Sequence, residues 1–338
     1  MPPRKYCKVN NTWKLIKHQW YQDNNLARIK REFVKKNNQW KLVFEDIRGM
    51  KQIDEFTGHT NYVLSVHYGH DGYLYSGSRD TTVRKINPEN MEQVGIFDNH
   101  INNAASVYLG SDNYLYTGSW DETICKVNPE TMTEVDKFEG HSRRIDTIHY
   151  GHDGYLYSGS HDLTARKINP ENMEQVGIFV GSASTSRVNS VFLGYDNYLY
   201  IGSSDSRLCK INPETMEDVD VLFLQERVVS VCFASDNYLY AGLTDNTLRK
   251  IDPEIMTEVD KFEGHTQIVN SVYYGHDGYL YSSGSSDCTA RKIDPETMTE
   301  VDKFEHPGTV YTVCFGLDGY LYTGCSDFII RKIDTNPE

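Results

Sequence analysis

No apolar run in this 338-residue chain is long enough to cross a bilayer as a helix. No CxxC pair occurs. The seven cysteines (Cys7, Cys125, Cys209, Cys232, Cys288, Cys314 and Cys325) are odd in number and sit mostly in or beside strand-like runs, as small apolar residues do. The N-terminus shows no signal-peptide pattern. These absences set the expectation of reduced thiols in a cytoplasmic or nuclear protein with no membrane contact. The chain has no HExxH, no Gly-rich phosphate cradle and no nucleophile elbow, so nothing in it points to an enzyme, a metal or a cofactor. Tryptophan is scarce: four residues, three of them (Trp13, Trp20, Trp40) within the first fifty positions.

What the chain has in place of these is repetition. The phrase Asp-(Gly/Asn)-Tyr-Leu-Tyr begins at Asp71, Asp112, Asp153, Asp196, Asp236, Asp277 and Asp318, at spacings of 41, 41, 43, 40, 41 and 41 residues. A fixed period near 40 marks one supersecondary unit copied and stacked. In the first copy, residues 62–68 (YVLSVHY), 73–78 (YLYSGS), 82–86 (TVRKI) and 91–97 read as four short strands. The turns between them carry Asp-Gly, Arg-Asp-Thr and Asn-Pro-Glu-Asn, each with its own turn chemistry. No segment inside the repeats keeps a helical period.

A lone four-stranded sheet leaves both faces wet, whereas radial stacking covers each face with its neighbour. The two ends of the array predict a closed ring. The last repeat supplies strands at 310–315, 320–323 and 329–333 and then stops. An orphan strand, Lys51–Phe56 (KQIDEF), precedes the first repeat and is similar to residues 300–304 (EVDKF). The expectation is that it completes the last blade.

The repeat resembles the WD-repeat β-propellers over residues 51–334. The family pattern places Gly-His ahead of the first strand, then a turn Asp, then Trp-Asp. Here His59/Asp80, His100/Asp121, His141/Asp162 and His306/Asp327 are 21 residues apart and His265/Asp287 is 22 apart. The resemblance implies that each pair hydrogen-bonds with a strand Ser or Thr and braces its blade. The Trp-Asp position reads Ile86-Asn87, Val127-Asn128, Ile168-Asn169, Ile211-Asn212, Ile251-Asp252, Ile293-Asp294 and Ile333-Asp334, without the Trp. The fourth and fifth repeats lack the His, with Ser182 and Gln225 near its place, so Asp205 and Asp245 need other donors. Those two blades are expected to be the loosest. The phrase is also similar to that of quinoprotein-type propellers, but Met91, Met132 and Met298 stand where that family has Gly.

The expected architecture is therefore all-β: a seven-bladed propeller over residues 49–338, with a short helical segment over 1–48. That segment differs in charge. Residues 1–50 carry 12 Lys/Arg against 4 Asp/Glu, and the remainder 22 against 44. Leu26, Ile29 and Phe33 recur at helical spacing, as do Val9, Trp13 and Ile16. The run from Cys7 to Trp20 resembles the C-terminal half of an F-box through Cys7, Val9, Trp13, Ile16 and Trp20, without the Leu-Pro start of such a domain. An F-box joined to a propeller implies a substrate-recognition subunit of a cullin–RING ubiquitin ligase, bound to a Skp-type adaptor. A helical cap on the propeller and a basic arm are the other readings. Nucleic acid is not an expected partner.

The repeats also serve as an internal alignment. Residues 68–97 and 150–179 differ at three positions, Arg79/His161, Thr81/Leu163 and Val83/Ala165. The residue before each turn Asp includes Arg79, Trp120 and His161. The loop after the Gly-His position adds Arg143, Arg144, Arg187 and Arg227. These seven map to one face of the expected ring and suit acidic or phosphorylated peptides, because guanidinium forks match carboxylate and phosphate. The periodic His residues read as structural, since they belong to different blades and cannot converge on one ion. His70, His152 and His276 read as solvated turn residues. The chain is expected to be a non-enzymatic interaction scaffold, in signalling or trafficking if not in a ubiquitin ligase.

Overall fold

A computed structural model describes residues 49–180 and 186–336 in full, together with the backbone of four strands nearer the N-terminus. Seven four-stranded antiparallel sheets stand around one axis. Blade one comprises Val63–Tyr68, Leu74–Ser78, Val83–Asn87 and Glu92–Phe97 in that order from the axis outwards. Blades two to six open with Ala104–Leu109, Ile145–Tyr150, Val188–Leu193, Val228–Phe233 and Val269–Tyr274. Blade seven takes Val310–Phe315, Leu321–Cys325 and Ile330–Asp334 from the C-terminal end and Lys51–Phe56 from the N-terminal end. Phe56 pairs with Ile330 and Lys51 with Asp334. The orphan strand thus closes the ring, as the ends of the repeat array predict.

The repeated phrase builds a clamp between blades. Asp71 accepts hydrogen bonds from Tyr75 Oη at 2.6 Å and from the Tyr73 backbone N–H at 3.2 Å. Lys85 Nζ lies 3.4 Å from the same carboxylate and 3.9 Å above the centre of the Tyr73 ring. It then donates to the carbonyl of Pro129 in blade two at 3.1 Å. Leu74 and Tyr75 are fully buried. One motif therefore supplies a carboxylate hub, an aromatic seat for an ammonium, and two core side chains. Lys126, Lys167, Lys210 and Lys250 repeat the bond to Pro170, Pro213, Pro253 and Pro295. Lys332 of blade seven reaches Pro88 of blade one at 2.8 Å, so the closing seam is built like the others. Lys292 differs, since blade seven has Thr335 in place of that Pro; it donates to Asn336 Oδ1.

A second ring of hydrogen bonds lies nearer the axis. The hydroxyls of Ser65, Ser106, Ser190, Ser230, Ser271 and Thr312 each accept from a backbone N–H of the next blade's innermost strand. Between the sheets the apolar core is divided into seven layers, one per seam. At the closing seam, Phe56, Val63, Leu74, Met91, Cys314 and Ile330 pack together. Met91, Met132, Met173, Met216, Met256 and Met298 all adopt positive φ, between 45° and 56°. This is the conformation that favours glycine. Here each Met is buried, and a Cβ on Gly95 would lie 2.6 Å from Met132 Cγ, so the glycine of one blade makes room for the methionine of the next.

The N-terminal segment corrects the helical expectation. Lys5–Val9, Thr12–Tyr21, Arg28–Lys36 and Gln39–Arg48 form a four-stranded antiparallel sheet in sequence order. Val9 pairs with Thr12 and Lys36 with Gln39, leaving Asn10-Asn11 and Asn37-Asn38 between paired residues in the sequence. Asn tolerates the left-handed backbone that two-residue hairpin connections require. The phrase Asn-Asn-x-Trp-Lys-Leu occurs at residues 10–15 and 37–42, so that in each copy a Trp and a Leu stand two apart across a Lys. That period of two outweighs the short helical pattern. The F-box-like positions Cys7, Val9, Trp13, Ile16 and Trp20 thus fall on strands, and their side chains lie outside the described residues.

The clamp yields a direct test. Lys332→Met removes a charged hydrogen bond at the closing seam and should cost about 1.5–3 kcal/mol. The urea midpoint should fall with the m-value unchanged. An unaltered midpoint would show that the seam is held by packing alone.

Candidate protein-docking face

The loop before each blade's innermost strand and the turn between its second and third strands lie on one face. In blade one, His59 Nδ1 meets Asp80 Oδ2 at 2.8 Å and Nε2 meets Ser76 Oγ at 2.8 Å. The Thr60 backbone N–H and the Thr82 hydroxyl also donate to Asp80, at 3.0 and 2.6 Å. The same His–Asp contact is 2.8 Å at His100/Asp121, 2.7 Å at His141/Asp162 and 2.6 Å at His265/Asp287. The residue two after the Asp, Thr82 in blade one, contributes a hydroxyl in this Trp-less bracing.

Blade seven departs from this arrangement. His306 bonds Thr323 Oγ1 at 2.8 Å, but its Nδ1 has no partner. Asp327 pairs instead with Arg331, at 2.5 Å. The expected His306/Asp327 pair is not formed, for three local reasons. One residue fewer separates Phe304 from His306 than separates Phe56 from His59; Pro307 has no N–H to give; and Ile329 replaces the hydroxyl residue. In the two blades without the His, Asp245 takes Thr247 at 2.6 Å and Arg249 at 2.6 Å, while Asp205 takes Ser203 and lies 3.4 Å from Arg207. Both turn carboxylates are therefore partnered.

Burial, only partly offset by the Asp80 carboxylate, holds His59 below its ordinary pKa, and His141 and His265 behave alike. Burial also pushes His306 down to about 3. Burial alone would raise Asp121, but hydrogen bonds from His100 and Thr123 outweigh it and bring the group to about 2.

Of the seven residues assigned to the docking arc, the structure gathers four. The Arg79 guanidinium lies 5.4 Å from the Trp120 ring centre and that of Arg144 lies 4.1 Å from it. Arg144 Nε donates to His161 Nε2 at 2.9 Å. Asp146, not foreseen, lies 2.5 Å from His161 and 3.3 Å from Arg144. Tyr62, Tyr311 and Phe328, also not foreseen, stack beside Arg79. Asp146 and Tyr311 occupy the register shift of their innermost strands, as do Leu64, Ala105, Asn189, Val229 and Asn270. The signal that would have found them was the same period, one position past the strand start.

The other three arc residues stand apart. Arg143, Arg187 and Arg227 are exposed. Arg187 and Arg227 flank a cleft of about 220 Å³ with Ser186, Ser204 and Asp205. In blade six the position equivalent to Arg79 is Ser285, whose N–H bonds the Ile268 carbonyl, and not Ser286; the added residue follows it.

The profile of the WD domain, G-beta repeat family matches residues 50–87 and 256–294. The fold is a seven-bladed WD40-repeat β-propeller. No curated protein matches the chain. Each matched segment of this WD40 ring runs from an outermost strand into the next blade: Lys51–Phe56 of blade seven with the first three strands of blade one, and Thr257–Phe262 of blade five with the first three strands of blade six. Such a fold suits protein-interaction scaffolds, with no helix long and apolar enough to cross a membrane among the described residues. Also among the described residues, no cluster of His, Cys, Asp and Glu is arranged to hold a metal ion.

The bracing predicts its own pH dependence. A histidine kept neutral by burial binds a proton more readily once unfolded, so its contribution is full above its ordinary value near 6.5 and is lost as pH falls. The depressed carboxylates add a loss below about pH 4. The urea midpoint should therefore drop between pH 7 and 5, before the depressed bracing carboxylates titrate. His141→Ala should cost about 2–3 kcal/mol and His306→Ala only about 1–1.5 kcal/mol, since His306 lacks the Asp partner. Equal costs would contradict that difference.

Proposed function

We propose that this propeller is a non-catalytic scaffold that grips acidic or phosphorylated peptide segments across blades three to five of its docking face. The observation that carries the reading is the pair of exposed guanidiniums, Arg187 and Arg227, on either side of one cleft. Asp205 lies in that cleft, but it sits 3.4 Å from Arg207 and receives the Ser203 hydroxyl, so its charge is met locally. The two flanking forks are left to accept an outside carboxylate or phosphate. Arg143 extends the same rim. Trp120, clasped between Arg79 and Arg144, provides an adjoining apolar anchor of the kind enriched at binding hot spots. Beyond residue 50 the chain carries a net −22, so a locally basic rim is selective as well as attractive.

The ubiquitin-ligase reading has only the run Cys7, Val9, Trp13, Ile16 and Trp20 for support. The backbone of that run forms strands where an F-box needs helices. The proposal is therefore limited to the docking face, and co-purification of the full chain with a Skp-type adaptor is the result that would extend it.

Fluorescence anisotropy with a Glu-rich peptide and its doubly phosphorylated form tests the reading. Binding should weaken between 50 and 500 mM NaCl. Arg187→Ala with Arg227→Ala should lower affinity at least tenfold, and Arg143→Ala with Arg144→Ala should also weaken it. Unchanged affinity in both double variants would remove the proposal.

A further inference from the structure

The opposite face of the ring holds a cavity that the docking reading leaves unused. It measures about 280 Å³ and opens where the innermost strands of blades two to four meet the turns below them. Tyr108, His149 and Phe192 form its inner wall, one residue from each blade. His149 stacks on Phe192 with ring centres 4.4 Å apart and 26° between planes, and meets Tyr108 edge-on at 5.2 Å. At the rim, Tyr195 is 66% exposed and stacks on His152. Ser111 adds a hydroxyl to the lining.

Two features make this more than a gap between turns. His149 is only 8% exposed and its ring makes no hydrogen bond to another described residue, but its nitrogens are not sealed from solvent, so they can meet a molecule in the cavity. Burial also keeps this imidazole neutral, pushed down to about 3, so at neutral pH it offers one N–H donor and one ring-nitrogen acceptor. The Tyr108 phenol is likewise held protonated, raised by burial to about 12. Second, no Lys or Arg lines the cavity. What the walls offer is flat aromatic surface plus neutral hydrogen-bonding groups.

We propose that this cavity is a binding site for an uncharged aromatic heterocycle of one or two rings, stacked on the Tyr108–His149–Phe192 wall and hydrogen-bonded to the His149 ring. It is independent of the docking face, which lies at the other end of the channel.

The test uses the full chain with adenine as probe, and indole as a ring of similar size with a single donor and no ring acceptor. Saturation-transfer NMR and calorimetric titration should detect adenine, with indole at least fivefold weaker. His149→Phe keeps the aromatic wall and removes both ring nitrogens; it should weaken adenine at least tenfold, with indole little changed. Should that variant fail to fold, nitrogen-labelled histidine in the unaltered protein gives the same answer, because the His149 ring signals should shift on adding adenine. Absence of adenine binding, adenine bound equally by His149→Phe, or His149 signals that stay still at saturating adenine would each overturn the site. Arg187→Ala with Arg227→Ala should leave adenine binding unchanged; a loss there would place the probe on the docking face and also overturn it.

Discussion

The structure depends on a lysine that belongs to one blade and is held by two. Its ammonium is seated on a tyrosine ring and beside an aspartate of its own blade, and its hydrogen bond goes to a proline carbonyl of the next. Removing a charge from water is costly unless it is fully partnered. Here the partnering is complete only when two blades are correctly placed. The clamp therefore turns a desolvation penalty into a positional requirement, and it recurs around the ring. The hydroxyl-to-backbone bonds nearer the axis fix the same spacing at a second radius.

This division of labour leaves no bracing task for a Trp at the position where the WD-repeat pattern has one. Bracing within a blade falls to His, Asp and the strand hydroxyls, while cohesion between blades falls to Lys, Asp, Tyr and Pro. Blade seven shows how independent the two systems are. Its His–Asp brace is replaced by an Asp327–Arg331 pair, yet its Lys332 clamp onto blade one is intact.

Much of the ring was legible because its signals are periodic. Seven copies of one phrase gave the blade count, and the lone strand Lys51–Phe56 gave the closure. What the Asp-x-Tyr-Leu-Tyr phrase was for remained hidden, since its lysine lies some 14 residues further on and its proline in another repeat. The N-terminal sheet was misread as helix because a short window of apolar spacing outweighed the Asn-Asn pairs that punctuate it. The docking face was half legible. Loop residues that differ between near-identical repeats located Arg79, Trp120 and His161, but Asp146 and Tyr311 sit one position past the strand start, a periodic position that a comparison confined to the turns passes over.

The uniform seams carry one more implication. Each joint is made from the same parts, so a blade has no chemical means of recognising which neighbour it has met. The number seven is then enforced by wedge angle and by covalent order. Among the described residues Lys292 departs from this pattern, reaching Asn336 where its counterparts find proline. Two molecules trading their first strand, Lys51–Phe56, would satisfy every contact equally well. The short tether from Phe56 to blade one keeps Lys51–Phe56 at high local concentration beside blade seven, which favours closure within one chain.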